Sequence, residues 1–250
     1  MAERIALFAD LHSNLEAFEA CMARASDLGA TRYVFLGDLV GYNADPSALV
    51  DRVAELVLAN RAVALMGNHD QAVFEDHSKH MNPNAWDAIQ WTRTQLNIEQ
   101  IEFLKRLPLV IEEQDTCYVH ASADQPAMWK YVDSTASAQR CADASNKTYT
   151  FVGHAHHQAL FHEGDSGQFK RFVPKVELAT PMSRLRRWVA VVGALGQPRD
   201  GNPQSCFALF EPASATTIFC RVEYDYYATA EKVRRAGLPE SLAERLLHGT

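Results

Sequence analysis

The sequence predicts an α/β protein, and two regularities along the chain carry this prediction. Within residues 1–75, short apolar runs alternate three times with longer amphipathic segments, which is typical of strand–helix units with parallel strands. From residue 149 on, short apolar runs are separated by turn signals instead, which predicts further strands. A chain of 250 residues can bury a substantial core, and no repeat or linker divides it. We therefore expect one domain over residues 1–250, with a helical extension from about residue 224.

The three strand–helix units account for the first part of the chain. Their strands are expected at residues 5–9, 33–36 and 62–66, which are continuous apolar runs typical of strands buried on both faces. Apolar spacing of three and four residues predicts one helix over residues 15–25, closed by Gly29, and another that Pro46 opens. Because the carboxyl ends of parallel strands meet at one edge, polar residues that follow these strands are expected to share a crevice.

The rest of the chain is predicted to contain a helical stretch, a series of strands and two closing helices. Residues 83–107 have helical periodicity, whereas residues 122–147 are small, polar and weakly periodic, so we interpret them as a surface excursion over the site. The closing helices are expected at residues 228–236 and 238–247. The strands are expected at residues 109–111, 116–119, 149–152, 159–162, 169–172, 188–192, 207–210 and 217–222.

The composition excludes several classes of protein. An excess of 31 acidic over 24 basic residues gives a net charge of −7, which argues against a general nucleic-acid or anionic-membrane binder. An anionic substrate stays possible, because bound metal ions reverse the local charge. The five cysteines are scattered and form no CxxC pair, which indicates reduced thiols. No apolar run resembles a signal sequence or reaches the roughly 18 residues of a membrane span, so we expect a cytoplasmic protein.

Five of the predicted strands end in side chains that can bind metal ions. The candidate ligands are Asp10, His12, Asp38, Asn68, His120, His154 and His156. Residues two apart in extended backbone point to the same side, so Asp10 with His12, and His154 with His156, can each grip one ion. Carboxylate, imidazole and amide oxygen together suit Mn, Fe or Zn better than Ca or Mg. Seven ligands for two ions need one shared group, and Asp38, a carboxylate without a neighbouring ligand, is the natural bridge.

The tetrapeptide that follows the third strand, residues 67–70, adds two candidate catalytic residues. Two dications against two carboxylates leave the site positive, so that it can hold a phosphate. His69 stands beside Asn68 yet is surplus to the ligand count, so we expect it to protonate the leaving alkoxide. Asp70 is predicted to orient the His69 ring. Arg199, Tyr42 and Asn43 are the candidate substrate contacts.

Each of these signals is weak when it stands alone. An Asp-x-His pair is most often a helix N-cap and a surface histidine, and a single histidine after an apolar run is usually a hydrogen-bonded core residue. Their joint occurrence at strand ends favours the metal centre. We interpret the remaining basic groups as surface residues, with His157 beside the site or in solvent: Arg184, Arg186, Arg187, His77, His80, His162 and His248.

In their order along the chain, these motifs resemble those of the calcineurin-like metallophosphoesterases. The matching segments are Asp10-x-His12, Gly37-Asp38-x-x-Gly41, Gly67-Asn68-His69-Asp70, His120 and Gly153-His154-x-His156. The Gly-Gln-Pro-Arg-Asp-Gly segment at 196–201 and Tyr224-Asp225 resemble the bacterial phosphodiesterase-like branch. One departure is Val191-Val192-Gly193-Ala194, where that branch usually has Asn-Pro-Gly-Ser, so its substrate preference is not carried over.

The resemblance implies a fold, a metal centre and a catalytic histidine. The fold is a four-layer α-β-β-α sandwich, with two mixed β-sheets packed face to face and helices outside. Two divalent ions are implied, with Mn the first candidate and Fe or Zn as alternatives. His69 would be the catalytic histidine. The first ion would take Asp10, His12, Asp38 and His156, and the second Asp38, Asn68, His120 and His154.

The leading hypothesis is a dimetal phosphoesterase that hydrolyses phosphate esters, phosphodiesters first, by attack of a metal-bridging hydroxide with His69 assisting the leaving group. A protein phosphatase and a dinucleoside-polyphosphate hydrolase are alternatives on the same site, and Trp129 and Tyr131 could stack on the bases of the latter substrate. A non-catalytic scaffold is the alternative from another class, but such relatives typically lose ligands that this chain retains. The expected partner is a small-molecule phosphate ester, for which a nucleotide is a candidate; the oligomeric state is open.

Overall fold

Two six-stranded β-sheets form the centre of the molecule in the computed structural model, which describes residues 2–79 and 81–250. The first sheet contains β1 (Ile5–Phe8), β2 (Arg32–Phe35), β3 (Ala62–Ala64), β9 (Ala179–Pro181), β11 (Ser205–Glu211) and β12 (Thr216–Val222). The second contains β4 (Val110–Glu112), β5 (Thr116–Val119), β6 (Tyr149–Val152), β7 (Gln158–Glu163), β8 (Phe169–Phe172) and β10 (Trp188–Val192). The described helices are α1 (Leu15–Asp27), α2 (Pro46–Leu58), α3 (Asn68–Ala72), α4 (Pro83–Gln95), α5 (Ile98–Lys105), α6 (Thr135–Ser145), α7 (Tyr226–Arg235) and α8 (Glu240–His248).

Both sheets are mixed, as expected. In the first, the order is β3-β2-β1-β11-β12-β9; β1, β2 and β3 run parallel, and β11 lies antiparallel to β1. In the second, the order is β4-β5-β6-β10-β7-β8, and β5, β6 and β10 run parallel. The carboxyl ends of the parallel strands therefore lie at one edge of each sheet, and the strand ends that precede the candidate ligands are among them.

The two sheets pack face to face because successive side chains of each strand point to opposite faces of its sheet, so that one apolar face meets the other sheet. Ile5 and Leu7 of β1 belong to an apolar cluster that also contains Phe151 of the second sheet. Ala6 and Phe8 belong instead to a cluster with α1 and α2 on the outer face of the first sheet. A third cluster joins α6 to the outer face of the second sheet. The result is the four-layer α-β-β-α sandwich, so the predicted fold is confirmed.

The interpretation of residues 122–147 as a surface excursion was wrong for its second half. A short 3₁₀-helix at Pro126–Met128 is followed by α6, whose N-cap is Ser134. Ala138, Cys141 and Ala142 of α6 are fully buried against the second sheet. Alanine and serine give little hydrophobic contrast between the two faces of a helix, so the periodicity was too weak to reveal it. The edge strand β9 was also missed, since it has only three residues, none of them buried.

The C-terminal helices pack beside the predicted site. α7 and α8 form an apolar cluster with α4, and Tyr42 and Ala85 belong to it. None of the helices in residues 2–79 and 81–250 is long and apolar enough to cross a membrane. The packing of α8 brings one of its side chains to the site described below.

Candidate metal centre

The structure brings all seven candidate ligands together at one edge of the two sheets. Asp10, His12 and His156 form one group of converging ligand atoms, and Asp38, His120 and His154 form another. Within each group the ligand atoms lie within 4.8 Å of one another, and all six residues are buried. The amide Oδ1 of Asn68 lies 3.3 Å from His120 Nε2, which adds the seventh ligand to the second group.

The imidazoles face one another in a way that needs a cation between them. His12 Nε2 and His156 Nε2 are 3.2 Å apart, while the Nδ1 atom of each lies within 3.1 Å of a backbone carbonyl, of Val40 and Gln197 respectively. A carbonyl can only accept, so each Nδ1 donates, and in the neutral ring each Nε2 presents a lone pair. Two lone pairs pointed at each other repel unless a proton or a metal ion lies between them. The ligand set therefore fits a metal ion.

Asp38 touches both groups. Its Oδ2 lies 3.7 Å from His12 Nε2 and 3.4 Å from His120 Nε2, and its Oδ1 accepts a hydrogen bond of 2.8 Å from the backbone N–H of His69. One carboxylate oxygen thus lies between the groups while the other is held by the start of α3. This is the placement that a bridging ligand requires.

The backbone at the ligands is unusual. Asp10, His12, Asp38, His154 and His156 all have positive φ angles, between 47° and 65°. This left-handed region is uncommon for residues with side chains, although Asp and His enter it more readily than most. Such conformations cost roughly 1–3 kcal/mol each and cluster at functional sites. The strand ends are bent so that their side chains point into the crevice.

Gly67 makes room for Asp38. A Cβ at Gly67 would lie 2.1 Å from Asp38 Oδ1 and 2.3 Å from the Asp38 backbone nitrogen, so any larger residue would displace the carboxylate. Gly41 plays the same part for His69, because a Cβ there would lie 2.4 Å from His69 Nδ1. The glycines of the motifs are therefore explained by the close approach of functional side chains.

Burial determines the charge states in the cluster. It lowers the pKa of His154 to about 3, helped by the positive charge of His120. Burial also lowers the pKa values of His12 and His156 well below the usual range. His120 is the exception: burial alone would lower its pKa, but the Asp38 carboxylate outweighs it and raises the pKa to about 9. Three imidazoles are thus neutral and ready to bind a metal, and His120 is protonated and paired with Asp38.

His69 lies at the cluster without a hydrogen-bond partner for its ring. Its Nδ1 is buried and unpaired among the described residues, and the ring packs against both His12 and Tyr42 at centroid distances of 4.7 and 4.5 Å. One ring nitrogen also lies within 4.8 Å of ligand atoms of His12 and Asp38. The residue is therefore close enough to reach a group bound at the cluster.

The expectation that Asp70 orients the His69 ring was wrong. Asp70 Oδ1 accepts hydrogen bonds from the backbone N–H groups of Leu39 and Val40, and Oδ2 accepts one from Gly67. Its side chain points away along the short helix α3, because residues next to each other on a helix face different directions. Asp70 is a positioning residue that holds the loop after Asp38 against the start of α3.

Replacing Asp70 with alanine should therefore destabilise the protein. The change leaves three buried N–H groups unpaired, which costs about 3 kcal/mol or more. Urea unfolding of the metal-free variant measures this loss. Asp225→Ala is the matched control, because Asp225 is exposed and caps α7 through one N–H, of Ala228. Equal stability losses in the two variants would contradict the positioning role.

The three candidate substrate contacts separate into two that face the cavity and one that does not. Arg199 and Tyr42 line a cavity of about 570 Å³ in front of the cluster, and the Arg199 guanidinium lies 5.3 Å from the centre of the Tyr42 ring. Asn43 is fully buried and donates to the backbone carbonyls of His12 and Gly196. The prediction for Asn43 was therefore wrong: it supports the backbone of a ligand and cannot reach a substrate.

Several residues of the cavity were not singled out by the sequence. His77, interpreted as a surface residue, lines it, and so do Met81 and Arg245, of which Arg245 lies on α8. Their signal is absent from the sequence because they belong to no motif, and Arg245 is also distant along the chain from the candidate ligands. Trp129 and Tyr131, by contrast, were named as candidates for base stacking, and both line the cavity.

The remaining basic residues lie outside the cavity. Arg184, Arg186 and Arg187 form ion pairs with Asp115, Asp165 and Glu163 at the surface, in agreement with their interpretation as a solvated turn. His157 contacts the carbonyl of Ala155. His80 lies outside the described residues. The segment Val191-Val192-Gly193-Ala194 is buried, and none of its residues lines the cavity. Its first two residues end β10.

The sandwich fold and the cluster at its edge define a protein of the metallophosphoesterase class. The family model of the calcineurin-like phosphoesterase superfamily domain matches residues 4–215, and the chain belongs to this family. It is 32% identical to an uncharacterised protein of Methanocaldococcus jannaschii over 98% of both chains.

Two solved structures resemble the whole molecule. The crystal structure of a metallophosphoesterase from Sphaerobacter thermophilus has a TM-score of 0.87 and 36% identity, and the match covers 100% of both chains. The crystal structure of a hypothetical protein from Pyrococcus horikoshii has a TM-score of 0.79 and 18% identity over 99% of this chain and 98% of that one, and it supports the fold alone.

Proposed function

We propose that this phosphoesterase uses two divalent metal ions, with Mn the first candidate, to hydrolyse phosphodiesters. The observation that carries the proposal is the pair of converging ligand groups with Asp38 between them, in the first of which the lone pairs of His12 and His156 point at each other. Bound there, two ions would lower the pKa of a water molecule and neutralise the charge of a phosphate. We propose the first site at Asp10, His12, Asp38 and His156, and the second at Asp38, Asn68, His120 and His154.

His69 is proposed to hand a proton to the leaving oxygen. Burial, helped by the charges of Arg199 and His120 and opposed by Asp38, lowers the pKa of its ring to about 4. The ring is therefore neutral in the free protein at pH 7. A phosphate that binds beside it brings negative charge, which raises its pKa and lets it carry the proton when it is needed.

Arg199 is proposed to bind the oxygens of the phosphate. Its backbone N–H donates to the carbonyl of His156 at 3.0 Å, which fixes the residue next to a metal ligand. Its terminal nitrogen donates to the neutral side chain of Gln197, and its Nε is buried without a partner among the described residues. A guanidinium with unused donors in the cavity suits phosphate, whose oxygens it can bind in pairs.

Metal binding is expected to release protons. Because the pKa of His120 is raised to about 9, this ring carries a proton at pH 7 that a metal ion must displace. Metal affinity should therefore rise with pH up to about pH 9, by about tenfold per pH unit for each proton released. Calorimetric titration with Mn²⁺ in two buffers of different ionisation enthalpy counts the protons. Release of no protons on Mn²⁺ binding at pH 7 would contradict the conclusion that the His120 ring is protonated in the metal-free protein.

Metal analysis combined with a chromogenic diester tests the proposed function. We expect about two Mn ions per chain after loading, hydrolysis of bis-p-nitrophenyl phosphate, and loss of this activity on chelation. The monoester p-nitrophenyl phosphate should be the poorer substrate. Metal-free protein without turnover on either compound would favour a scaffold instead, and faster turnover of the monoester would favour a phosphatase.

We further propose that the chain is a single cytoplasmic domain. All five cysteines are free and buried, which fits a reducing compartment. Helices α7 and α8 share an apolar cluster with α4, which supports one domain that includes the predicted extension.

A further inference from the structure

The cavity in front of the cluster has two sides with different chemistry. One side lies by His120 and His154 and is formed by Trp129 and Tyr131, whose rings are 5.8 and 4.1 Å from those two histidines. The other side lies by His12 and His69, where Tyr42 packs against both rings and Arg199 lies over Tyr42. The cluster lies between an aromatic side and a cationic side.

The aromatic side presents an open ring face. Tyr131 stacks on His154 at an interplanar angle of 19°, so one of its faces is covered, yet 51% of the residue is exposed. Trp129 is held in place by a hydrogen bond of 3.1 Å from its Nε1 to Gln71 on α3. Flat aromatic side chains that are fixed in this way stack on planar heteroaromatic groups, of which nucleobases are the common biological example.

The cationic side contains a second arginine. α8 packs in one apolar cluster with Tyr42 and Ala85, which line the cavity, and Arg245 of α8 lines the same cavity. This packing places α8 on the side of the cavity where Arg199 lies over Tyr42. In residues 2–79 and 81–250, neither Arg199 nor Arg245 forms an ion pair, whereas the surface arginines Arg186 and Arg187 do. One phosphate at the cluster needs only one of these guanidinium groups, so the second has room for another anion.

We propose that the substrate is a nucleotide with a further phosphate beyond the scissile one, as in a nucleoside 5′-diphosphate or its derivatives. This rests on the proposed function. The base would stack on Tyr131, the α-phosphorus would lie at the cluster, and the distal phosphate would bind Arg245. The spatial order of aromatic side, cluster and arginines matches the linear order of base, phosphate and phosphate. A cavity of about 570 Å³ is in the range that holds ligands of this size.

The reaction is a balanced hydrolysis. Water adds its oxygen to the α-phosphorus, and the bond from that phosphorus to the bridging oxygen breaks. A nucleoside monophosphate and inorganic phosphate leave, and the protons of the water are shared between the two products and the solvent. Arg245 thus acts on the leaving group, by binding the phosphate that departs, and sets the preference among substrates.

Binding of α,β-methylene-ADP, which cannot be hydrolysed at this bond, tests the two sides separately. With Mn-loaded protein, Arg245→Gln and Tyr131→Leu should each raise the Kd in calorimetry by about tenfold or more, and Arg245→Lys should restore part of the loss. Arg235→Gln on α7 and Tyr227→Leu are the matched controls, since both residues are exposed and absent from the cavity wall. Unchanged binding in Arg245→Gln, or an equal loss in its control, would overturn the proposal.

Kinetics separate the failure of this inference from that of the proposed function. Arg245→Gln should lower kcat/KM for ADP by about tenfold more than kcat/KM for bis-p-nitrophenyl phosphate, because the diester has no distal phosphate. Equal losses on both substrates would overturn the role of Arg245. Wild-type protein that hydrolyses the diester and neither binds nor cleaves ADP would overturn the inference alone. Metal-loaded protein that hydrolyses neither compound would overturn the proposed function and the inference with it.

Discussion

Replacing Asp38 with alanine is expected to abolish metal binding and hydrolysis together. Asp38 is the residue that touches both ligand groups, so its loss removes a ligand from each ion at once. It also removes the partner of protonated His120 and the acceptor of the His69 backbone N–H. Metal content by elemental analysis should fall from about two ions towards zero, and kcat/KM for bis-p-nitrophenyl phosphate by about 10³-fold or more.

Two further variants make this test specific. Asp38→Asn keeps an oxygen that can accept from His69 and loses only the charge, so it should fold as the wild type does and still lose metal. Asp165→Asn is the matched control, because this carboxylate is exposed and pairs with Arg186 at the surface. Retention of both ions by Asp38→Asn and Asp38→Ala would show that Asp38 is not the bridge.

Replacing His69 with alanine is expected to keep both metal ions and to remove most of the turnover on esters with poor leaving groups. A general acid contributes about 10²–10⁴-fold, and the loss should be of this size for alkyl esters. It should be much smaller for p-nitrophenyl esters, whose leaving group needs no proton. In the wild type, kcat should fall as pH rises above the pKa that His69 has in the complex, and this limb should be missing from the variant.

The outcome for metal content decides how the His69 result is interpreted. One ring nitrogen of His69 lies within reach of the ligands His12 and Asp38, so loss of an ion in His69→Ala would make it a ligand and not a proton donor. His248→Ala is the control, since His248 is exposed at the end of α8. Full activity of His69→Ala on an alkyl ester would refute the role proposed here.

The convergence of the candidate metal ligands could be predicted from the sequence because their signal is local. Each lies directly after an apolar strand, and the carboxyl ends of parallel strands meet at one edge whatever the details of packing. The spacing of two residues also indicates which candidate ligands lie together, namely Asp10 with His12 and His154 with His156. The glycines of the motifs can also be recognised from the local sequence. Only the structure shows that Gly67 is needed because the Asp38 side chain approaches it closely.

The surroundings of the candidate ligands could not be predicted in this way. Asp70 belongs to a matching motif and Asn43 follows one, yet both side chains bind backbone groups, because a buried polar side chain takes whichever partner the fold places next to it. Helix α6 was not predicted, because its buried face consists of small residues that give little hydrophobic periodicity.

The sequence alone determines the class of fold and the set of candidate metal ligands, because strand ends and their polar residues are encoded over a few neighbouring positions. Only the tertiary structure decides what surrounds them. Met81 and Arg245 come from distant parts of the chain, and both line the cavity beside the apolar cluster that contains α8. Contacts between distant segments depend on the three-dimensional arrangement of whole elements, which is why the walls of the cavity, and with them the choice of substrate, appear in the structure first.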